Sequence, residues 1–331
     1  MSEVPMGSRD DVLAGGGTGG TTSSPMAFPI PANELGTVSI VPNGSFEAGS
    51  YQTFVLTYVA GKFGIDDSGS MRVCFRFASD QTRPQFEDPK GPNYTTIEAS
   101  NNAVLTYHYD PKGNVRPWDR TLYIKVVRGF LREGDKITIT FGDRSGGSPG
   151  MRLQTFCEDS YEFHTLIDPI ATYCYQPMPV QPVIKIIPGK PDRYLAVAPT
   201  IRAIDESFSI KFKGEDKWGN PSDQCDIQLY PRASHPVQNL PDVVSLKPGE
   251  FFGVIEGLSV ANAADLHIDF LDDAGAVMCR TNPIRIEPAP LSRHFWGDLH
   301  GQSEETIGTG SAEAYFAFAR DYAFVDATGQ Q

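Results

Sequence analysis

The sequence has few cations for its length and no long apolar run. Its 331 residues include 28 Lys and Arg against 41 Asp and Glu, which gives a formal net charge of -13. Binding to a phosphate backbone requires clustered cations, so we expect no nucleic-acid partner. No apolar run approaches the roughly 20 residues that a membrane-spanning helix requires, so we expect no membrane span.

Cysteine patterns and targeting signals are also missing. Five widely spaced cysteines form no C-x-x-C pair, which predicts free thiols rather than a zinc or redox site. The opening residues have no basic segment followed by an apolar one, and therefore no secretory signal. This favours a cytoplasmic location.

The chain divides into four regions by composition and periodicity. Residues 1–24 are rich in Gly, Ser and Thr, which predicts a disordered tail. Residues 25–181 contain short alternating segments typical of a β-sandwich. A proline-dense stretch, "YQPMPVQPVIKIIPGKP", predicts a linker that contains one short strand, and residues 182–288 alternate again. We expect this third region to be a smaller, immunoglobulin-like β-sandwich.

Alternation is clearest in the segments "TLYIKVV" and "DKITITFGD". Leu122, Ile124 and Val126 would share one face of a strand, because successive side chains point to opposite faces. These segments predict strands that are buried on one face.

Two loops of the first predicted sandwich carry groups able to contact a ligand. Arg116, Trp118 and Asp119 lie in "GNVRPWDR", and Asp143 and Arg144 open the Gly-rich "FGDRSGGSPG". Loops on a rigid scaffold often carry binding residues. The alternative interpretation is structural, with Asp143 and Arg144 pairing with their neighbours.

Residues 289–331 show a different pattern, a strand, a helix and a strand. "SAEAYFAFARDYA" predicts a helix with Ser311 as its N-cap and an apolar face of Tyr315, Phe318 and Tyr322. The flanking "HFWGDLHGQ" and "AFVDATG" read as strands, which makes one βαβ unit. Since parallel sheets are covered on both faces, we expect only the first piece of a domain here. Its apolar face should pack on the second sandwich or self-associate.

Asp298 and His300 are the candidate metal ligands. At a strand end, Asp-x-His places both side chains on one side of the pleat, where a carboxylate oxygen and an imidazole nitrogen can bind one cation. A carboxylate–histidine hydrogen bond is the structural alternative.

The segment "WGDLHGQSEETIGTGSAEAYFAFARDYAFVDATG" resembles the opening of PHP-type metal-dependent phosphoesterases. In those proteins a strand bearing His-x-His precedes a loop, a helix, and a strand ending in Thr-Asp-His. Upstream, "YQTFVLTYVAGKFGIDDSGSMRVCFRFASD", "GNVRPWDRTLYIKV", "FGDRSGGSPGMRLQTFCED" and "EDKWGNPSD" resemble the long N-terminal region of the DUF3604 family. The resemblance covers about residues 30–331.

This resemblance implies a distorted (β/α) barrel with divalent zinc, manganese or iron at the C-terminal ends of its strands. It also implies a metal-bound water that attacks a phosphoester or related bond. His300 matches the first histidine of His-x-His, and Gln302 stands at the second as a weaker candidate ligand. Thr328 matches the threonine of Thr-Asp-His, while Gly329 and Gln330 replace its Asp and His. Neutral amides are poorer ligands for transition metals.

The sequence therefore predicts the N-terminal part of a metal-dependent hydrolase that acts on an unidentified small molecule. We expect this chain itself to hold no metal and to be inactive. Two alternatives are a non-catalytic binding or scaffolding module that uses the Trp118 and Trp218 loops, and a degenerate PHP-like domain that recognises substrate without hydrolysing it.

Overall fold

The computed structural model describes residues 29–330, and within them the protein is mainly β with one α-helix. The predicted disordered tail, residues 1–24, lies outside this range. No helix of the described part is both long enough and apolar enough to cross a membrane.

The N-terminal unit begins with a 3-10 helix, Ala32–Glu34, and continues with fourteen short strands. They are β1 Gly36–Val41, β2 Ser45–Glu47, β3 Tyr51–Gln52, β4 Phe54–Ala60, β5 Ser70–Phe75, β6 Thr96–Ala99, β7 Val104–Asp110, β8 Arg120–Arg128, β9 Lys136–Phe141, β10 Met151–Arg152, β11 Glu158–Glu162, β12 His164–Asp168, β13 Gln176–Pro177 and β14 Val183–Ile187.

Two antiparallel sheets of this unit share one hydrophobic core. Their strand orders are β1-β4-β9-β6 and β13-β12-β5-β8-β7. Burial alternates strictly along β4, and Leu122, Ile124 and Val126 of β8 are all buried, as their spacing predicts. Phe163 lies fully buried between the sheets, with ring contacts to Phe54, Phe75, Phe141 and Tyr161 at 5.5 to 5.7 Å. The two sheets therefore form a sandwich.

The second unit consists of ten strands around a separate core. They are β15 Arg193–Val197, β16 Ile201–Ala203, β17 Phe208–Glu215, β18 Ile227–Ala233, β19 Val244–Leu246, β20 Phe252–Leu258, β21 Ala264–Leu266, β22 Ile268–Leu271, β23 Val277–Arg280 and β24 Ile284–Glu287. Three sheets with orders β15-β17-β20, β16-β24-β21 and β19-β18-β22-β23 enclose this core. Only β16 and β24 pair in parallel among them.

The change from the first core to the second falls later than the sequence predicts. β14 lies beyond residue 181, yet its Ile184 and Ile186 pack in the first core. The reason is strand pairing: β14 is antiparallel to β11 and parallel to β2. The second core begins at Ala196. The stretch predicted as a linker with one short strand thus contributes two strands, β13 and β14, to the first unit.

The loop after β17 joins the two units. Asp216 accepts backbone hydrogen bonds from Trp218 and Asn220 at 2.9 Å, which fixes a tight turn. The Trp218 indole N–H donates to the Ala48 carbonyl at 3.0 Å, and Asn220 Nδ2 donates to the Thr155 carbonyl at 2.9 Å. Trp218 therefore serves as an inter-unit contact.

Residues 297–330 fold as a βαβ unit, as the pattern predicts. β25 Gly297–Gly301 pairs in parallel with β26 Ala327–Gln330, and α1 Ala312–Asp321 connects them. Ser311 caps α1, since its side chain accepts from the Ala314 N–H at 3.1 Å.

The C-terminal end of α1 packs on the second unit. Lys211 Nζ of β17 donates to the Arg320 carbonyl at 2.7 Å, and Lys213 Nζ donates to the Tyr322 carbonyl at 2.5 Å. Cations at this end also interact favourably with the negative end of the helix dipole. Tyr322 adds an edge contact with Phe251 at 5.2 Å. This packing is one of the two expected outcomes; self-association stays a prediction.

Candidate functional site

Asp298 and His300 lie on β25 with both side chains exposed. The Asp298 carboxylate accepts a hydrogen bond from the His300 backbone N–H at 2.8 Å, so its contact with His300 is to the backbone. The Asp298 carbonyl accepts from Thr328 Oγ1 on β26 at 2.8 Å, and Thr328 also bonds to the Tyr315 hydroxyl. This network fixes the parallel strand pair on which the two candidate ligands lie.

Gln302 and Gln330 add no strong metal ligand to this strand end. Gln302 is half-buried and lines a cleft that faces the first sandwich. Gln330 Nε2 donates to Ser303 Oγ. Within residues 29–330, no three His, Cys, Asp or Glu side chains are grouped to hold a metal ion. Since protein zinc centres use three or four protein ligands, Asp298 and His300 do not complete a metal site by themselves.

The cleft beside Gln302 lies between the first sandwich and the βαβ unit, with a volume of about 570 Å³. The loop 302–310 and the start of α1 form one wall, and β11 with the loop before it forms the other. A recess of about 320 Å³ adjoins it and is lined by Trp118, Glu162 and Glu304. Pockets of this size accommodate small molecules.

Arg76, which directly follows β5, ties the loop 302–310 to the first sandwich. Its Nη2 donates to the carbonyls of Ile307 and Gly308, at 2.9 Å for the latter. Burial lowers the pKa of Arg76, while the carboxylates of Glu158 and Glu162 act in the opposite direction. Arg76 therefore fixes one side of the cleft.

Trp118 contacts both Arg76 and the first residue of β12, His164. The Arg76 guanidinium lies 5.2 Å from the Trp118 ring, and the indole also stacks on His164 with centroids 4.6 Å apart. His164 Nδ1 lies 2.6 Å from Glu162 Oε1. The stack on His164 thus holds the Trp118 ring in place, and this ring lines the recess together with Arg76 and Glu162.

Glu158 is a carboxylate of the cleft wall with only one of its two oxygens hydrogen-bonded within the described part of the chain. Its Oε2 accepts from Gln154 Nε2 at 2.9 Å, but its buried Oε1 has no hydrogen-bond partner among the described residues. Burial raises the pKa of Glu158, with smaller opposing effects from Gln154 and Arg76. A desolvated carboxylate therefore lies in the cleft wall.

The residues of the two predicted ligand loops separate in the structure. Trp118 lines the recess, whereas Arg116 is exposed and Asp119 is half-buried, with their charged groups 3.9 Å apart. Asp143 accepts from Thr96 Oγ1 and from the Ser145 N–H, each at 2.9 Å, and these hydrogen bonds lower its pKa.

Arg144 also bonds to the protein itself. It donates to the Tyr51 carbonyl at 2.7 Å and to the Pro149 carbonyl at 3.1 Å. Neither Asp143 nor Arg144 lines the cleft. Their contacts are those of the structural interpretation, in which both residues stabilise a long connection.

The sequence did not predict four residues of this site, which are Arg76, Ser160, Glu162 and His164. The period-two spacing of Glu158, Ser160 and Glu162 in "EDSYE" could have indicated a polar strand face. No local signal could have placed Arg76, because its partners Ile307 and Gly308 are more than 200 residues away in the chain.

Comparisons with known proteins yield remote structural likenesses. No family model matches the sequence, and no curated protein matches it. The adhesin InvE of Yersinia pseudotuberculosis aligns with a TM-score of 0.23 at 9% identity, over 77% of this chain and 59% of that chain. The chain thus spans less than two thirds of the adhesin.

Two further solved structures are similarly distant. The seventh ScaB type I cohesin of Pseudobacteroides cellulosolvens has a TM-score of 0.26 and 9% identity, and the alignment covers 47% of this chain and 94% of the cohesin. A red sea bream transglutaminase has a TM-score of 0.20 and 10% identity, covering 76% of this chain and 31% of that one.

Proposed function

We propose that this chain is the N-terminal part of a metal-dependent hydrolase of the DUF3604 kind. Two β-sandwiches, the second of them immunoglobulin-like, carry the first βαβ unit of a PHP-like barrel. Asp298 and His300 are two of several ligands for a divalent cation, and other strand ends supply the rest. Residues 1–331 alone do not turn over substrate.

The observation that carries this proposal is the parallel pairing of β25 and β26 beneath α1, with Asp298 and His300 on β25. Catalytic groups of (β/α) barrels lie at the C-terminal ends of their strands. Leu299, on the opposite face of β25, is 73% exposed. Because parallel sheets are normally covered on both faces, this strand pair suits a larger sheet.

Phosphoesterase activity tests the proposal. The polypeptide encoded by the whole natural reading frame, purified with zinc or manganese, is assayed with p-nitrophenyl phosphate and bis(p-nitrophenyl) phosphate. We expect turnover that His300→Ala abolishes and His294→Ala preserves, since His294 is another exposed histidine near β25. Residues 1–331 alone should be inactive. Activity that is equal in both variants contradicts the role of His300.

The cleft favours a second candidate function, a non-catalytic binding module. Glu158 and Trp118 line an open volume that requires neither Asp298 nor His300. Under this alternative, residues 1–331 bind a ligand without metal, and Trp118→Ala weakens that binding while His300→Ala does not. The two candidates therefore differ in which substitution matters.

A further inference from the structure

The cleft between β11 and the loop 302–310 combines an apolar side with several carboxylates. Phe156 and Phe318 line it and are 41% and 49% exposed. Ala314 of α1 belongs to the same lining. Exposed aromatic rings within a concave surface favour a ligand with an apolar body.

Carboxylates outnumber cations in the lining of the recess and cleft. Glu158, Glu162 and Glu304 line the recess together with Arg76. The Arg76 guanidinium is engaged by the carbonyls of Ile307 and Gly308. Glu162 is engaged by His164, but Glu304 is exposed and Glu158 keeps an unpartnered oxygen. The local field therefore attracts a cation and repels an anion.

Burial makes the charge on Glu158 costly. This is the reason that its pKa is raised although Arg76 lies nearby. A cation in the cleft would offset this cost through space and would leave the bond from Gln154 intact. Glu304 is exposed and lines the adjoining recess together with Glu158, so it can contact the same cation directly.

We propose that this cleft and its adjoining recess together bind an organic cation, an amine or guanidinium group attached to an apolar body. The cationic group lies between Glu304 and Glu158, and the apolar body lies against Phe156 and Phe318. This binding is independent of the cation proposed at β25, because none of these four residues is a candidate metal ligand.

A charge series of small probes tests the proposal on the whole chain. Binding of 2-phenylethylamine, neutral 2-phenylethanol and anionic 3-phenylpropionate is followed by NMR chemical-shift titration near neutral pH. We expect saturable binding of the amine alone, with shifts at Phe156 and Phe318. Glu304→Gln, in an exposed loop, and Glu158→Gln should each weaken it roughly fivefold to tenfold.

The matched control is Glu313→Gln, which removes an exposed carboxylate from α1 outside the cleft lining. This variant should bind the amine like the wild type. Three outcomes overturn the proposal: no amine binding up to about 10 mM, equal affinity for all three probes, or equal affinity in wild type, Glu304→Gln and Glu158→Gln.

Discussion

The indole of Trp118 stacks on the imidazole of His164, with ring centroids 4.6 Å apart and ring planes 18° apart. Trp118 belongs to the loop between β7 and β8, and His164 begins β12. The stack therefore fixes that loop against the sheet. Because both the indole and Glu162, the partner of His164, line the recess, the stack also sets the shape of the recess.

Replacing Trp118 with alanine should destabilise the protein by about 1–2 kcal/mol, since it removes the stack on His164 and the contact with Arg76. Urea unfolding followed by circular dichroism measures this change. Trp296→Ala is the control, because Trp296 is 65% exposed, and it should shift stability by less than about 0.5 kcal/mol. Equal effects of the two substitutions would argue against a packing role for Trp118.

Phe163→Ala should cost about 3–5 kcal/mol, because it leaves a cavity among four aromatic rings at the centre of the first core. The same urea experiment provides the value. Phe130→Ala, at a position that is 51% exposed, should cost less than about 1 kcal/mol. A small loss for Phe163→Ala would mean that the two sheets do not enclose one packed core.

The raised pKa of Glu158 gives stability a predictable pH dependence. A glutamate in the unfolded chain titrates near 4.5, and the folded chain binds the proton more tightly. The contribution of Glu158 to stability is therefore fully present below the unfolded pKa and is lost as pH rises through the folded pKa.

Glu158→Gln removes this penalty. The variant's Tm should exceed that of the wild type by more at about pH 7 than at about pH 4. Thermal unfolding at the two pH values measures the difference, and Glu313→Gln should show no such trend. A Tm difference that grows toward acid pH would reverse the sign and refute the assignment.

Lys213 holds α1 on the second unit. Its ammonium group bonds to the Tyr322 carbonyl and lies 2.9 Å from Glu215, and the side chains of Lys213 and Glu215 are 8% and 6% exposed. Lys213→Met should increase amide hydrogen exchange in α1 about tenfold while leaving β4 unchanged. Lys190→Met, at an exposed lysine, is the control. Unchanged exchange in α1 would show that other contacts suffice to hold the helix.

The sequence predicts those parts of the fold that follow from local periodicity. The alternation along β8 and β9, the N-cap at Ser311 and the βαβ order all depend on neighbours within a few residues. Ile184 and Ile186 lie beyond the boundary predicted at residue 181 but pack in the first core. Local periodicity could not show this, because the pairing partners of β14 are distant in sequence.

The cleft could not be predicted, because it is created by tertiary contacts. Arg76 is an ordinary strand-end arginine in the sequence, and only the folded chain brings it to Ile307 and Gly308. The hydrogen bond from Trp218 to Ala48 likewise joins residues that are far apart in the chain, and no local pattern indicates it. Asp298 and His300 were predictable as a pair on one strand, but strand periodicity carries no information on a third ligand.

The metal content of the whole polypeptide decides whether His300 is a ligand of a bound cation. Elemental analysis is made of residues 1–331 and of the whole natural reading frame, each as wild type, His300→Ala and the control His294→Ala. We expect about one or more equivalents of zinc, manganese or iron per whole polypeptide. This metal should be lost in His300→Ala and retained in His294→Ala, and residues 1–331 should hold substoichiometric metal. A whole polypeptide that holds no metal, or that holds as much in His300→Ala as in the wild type, would contradict it.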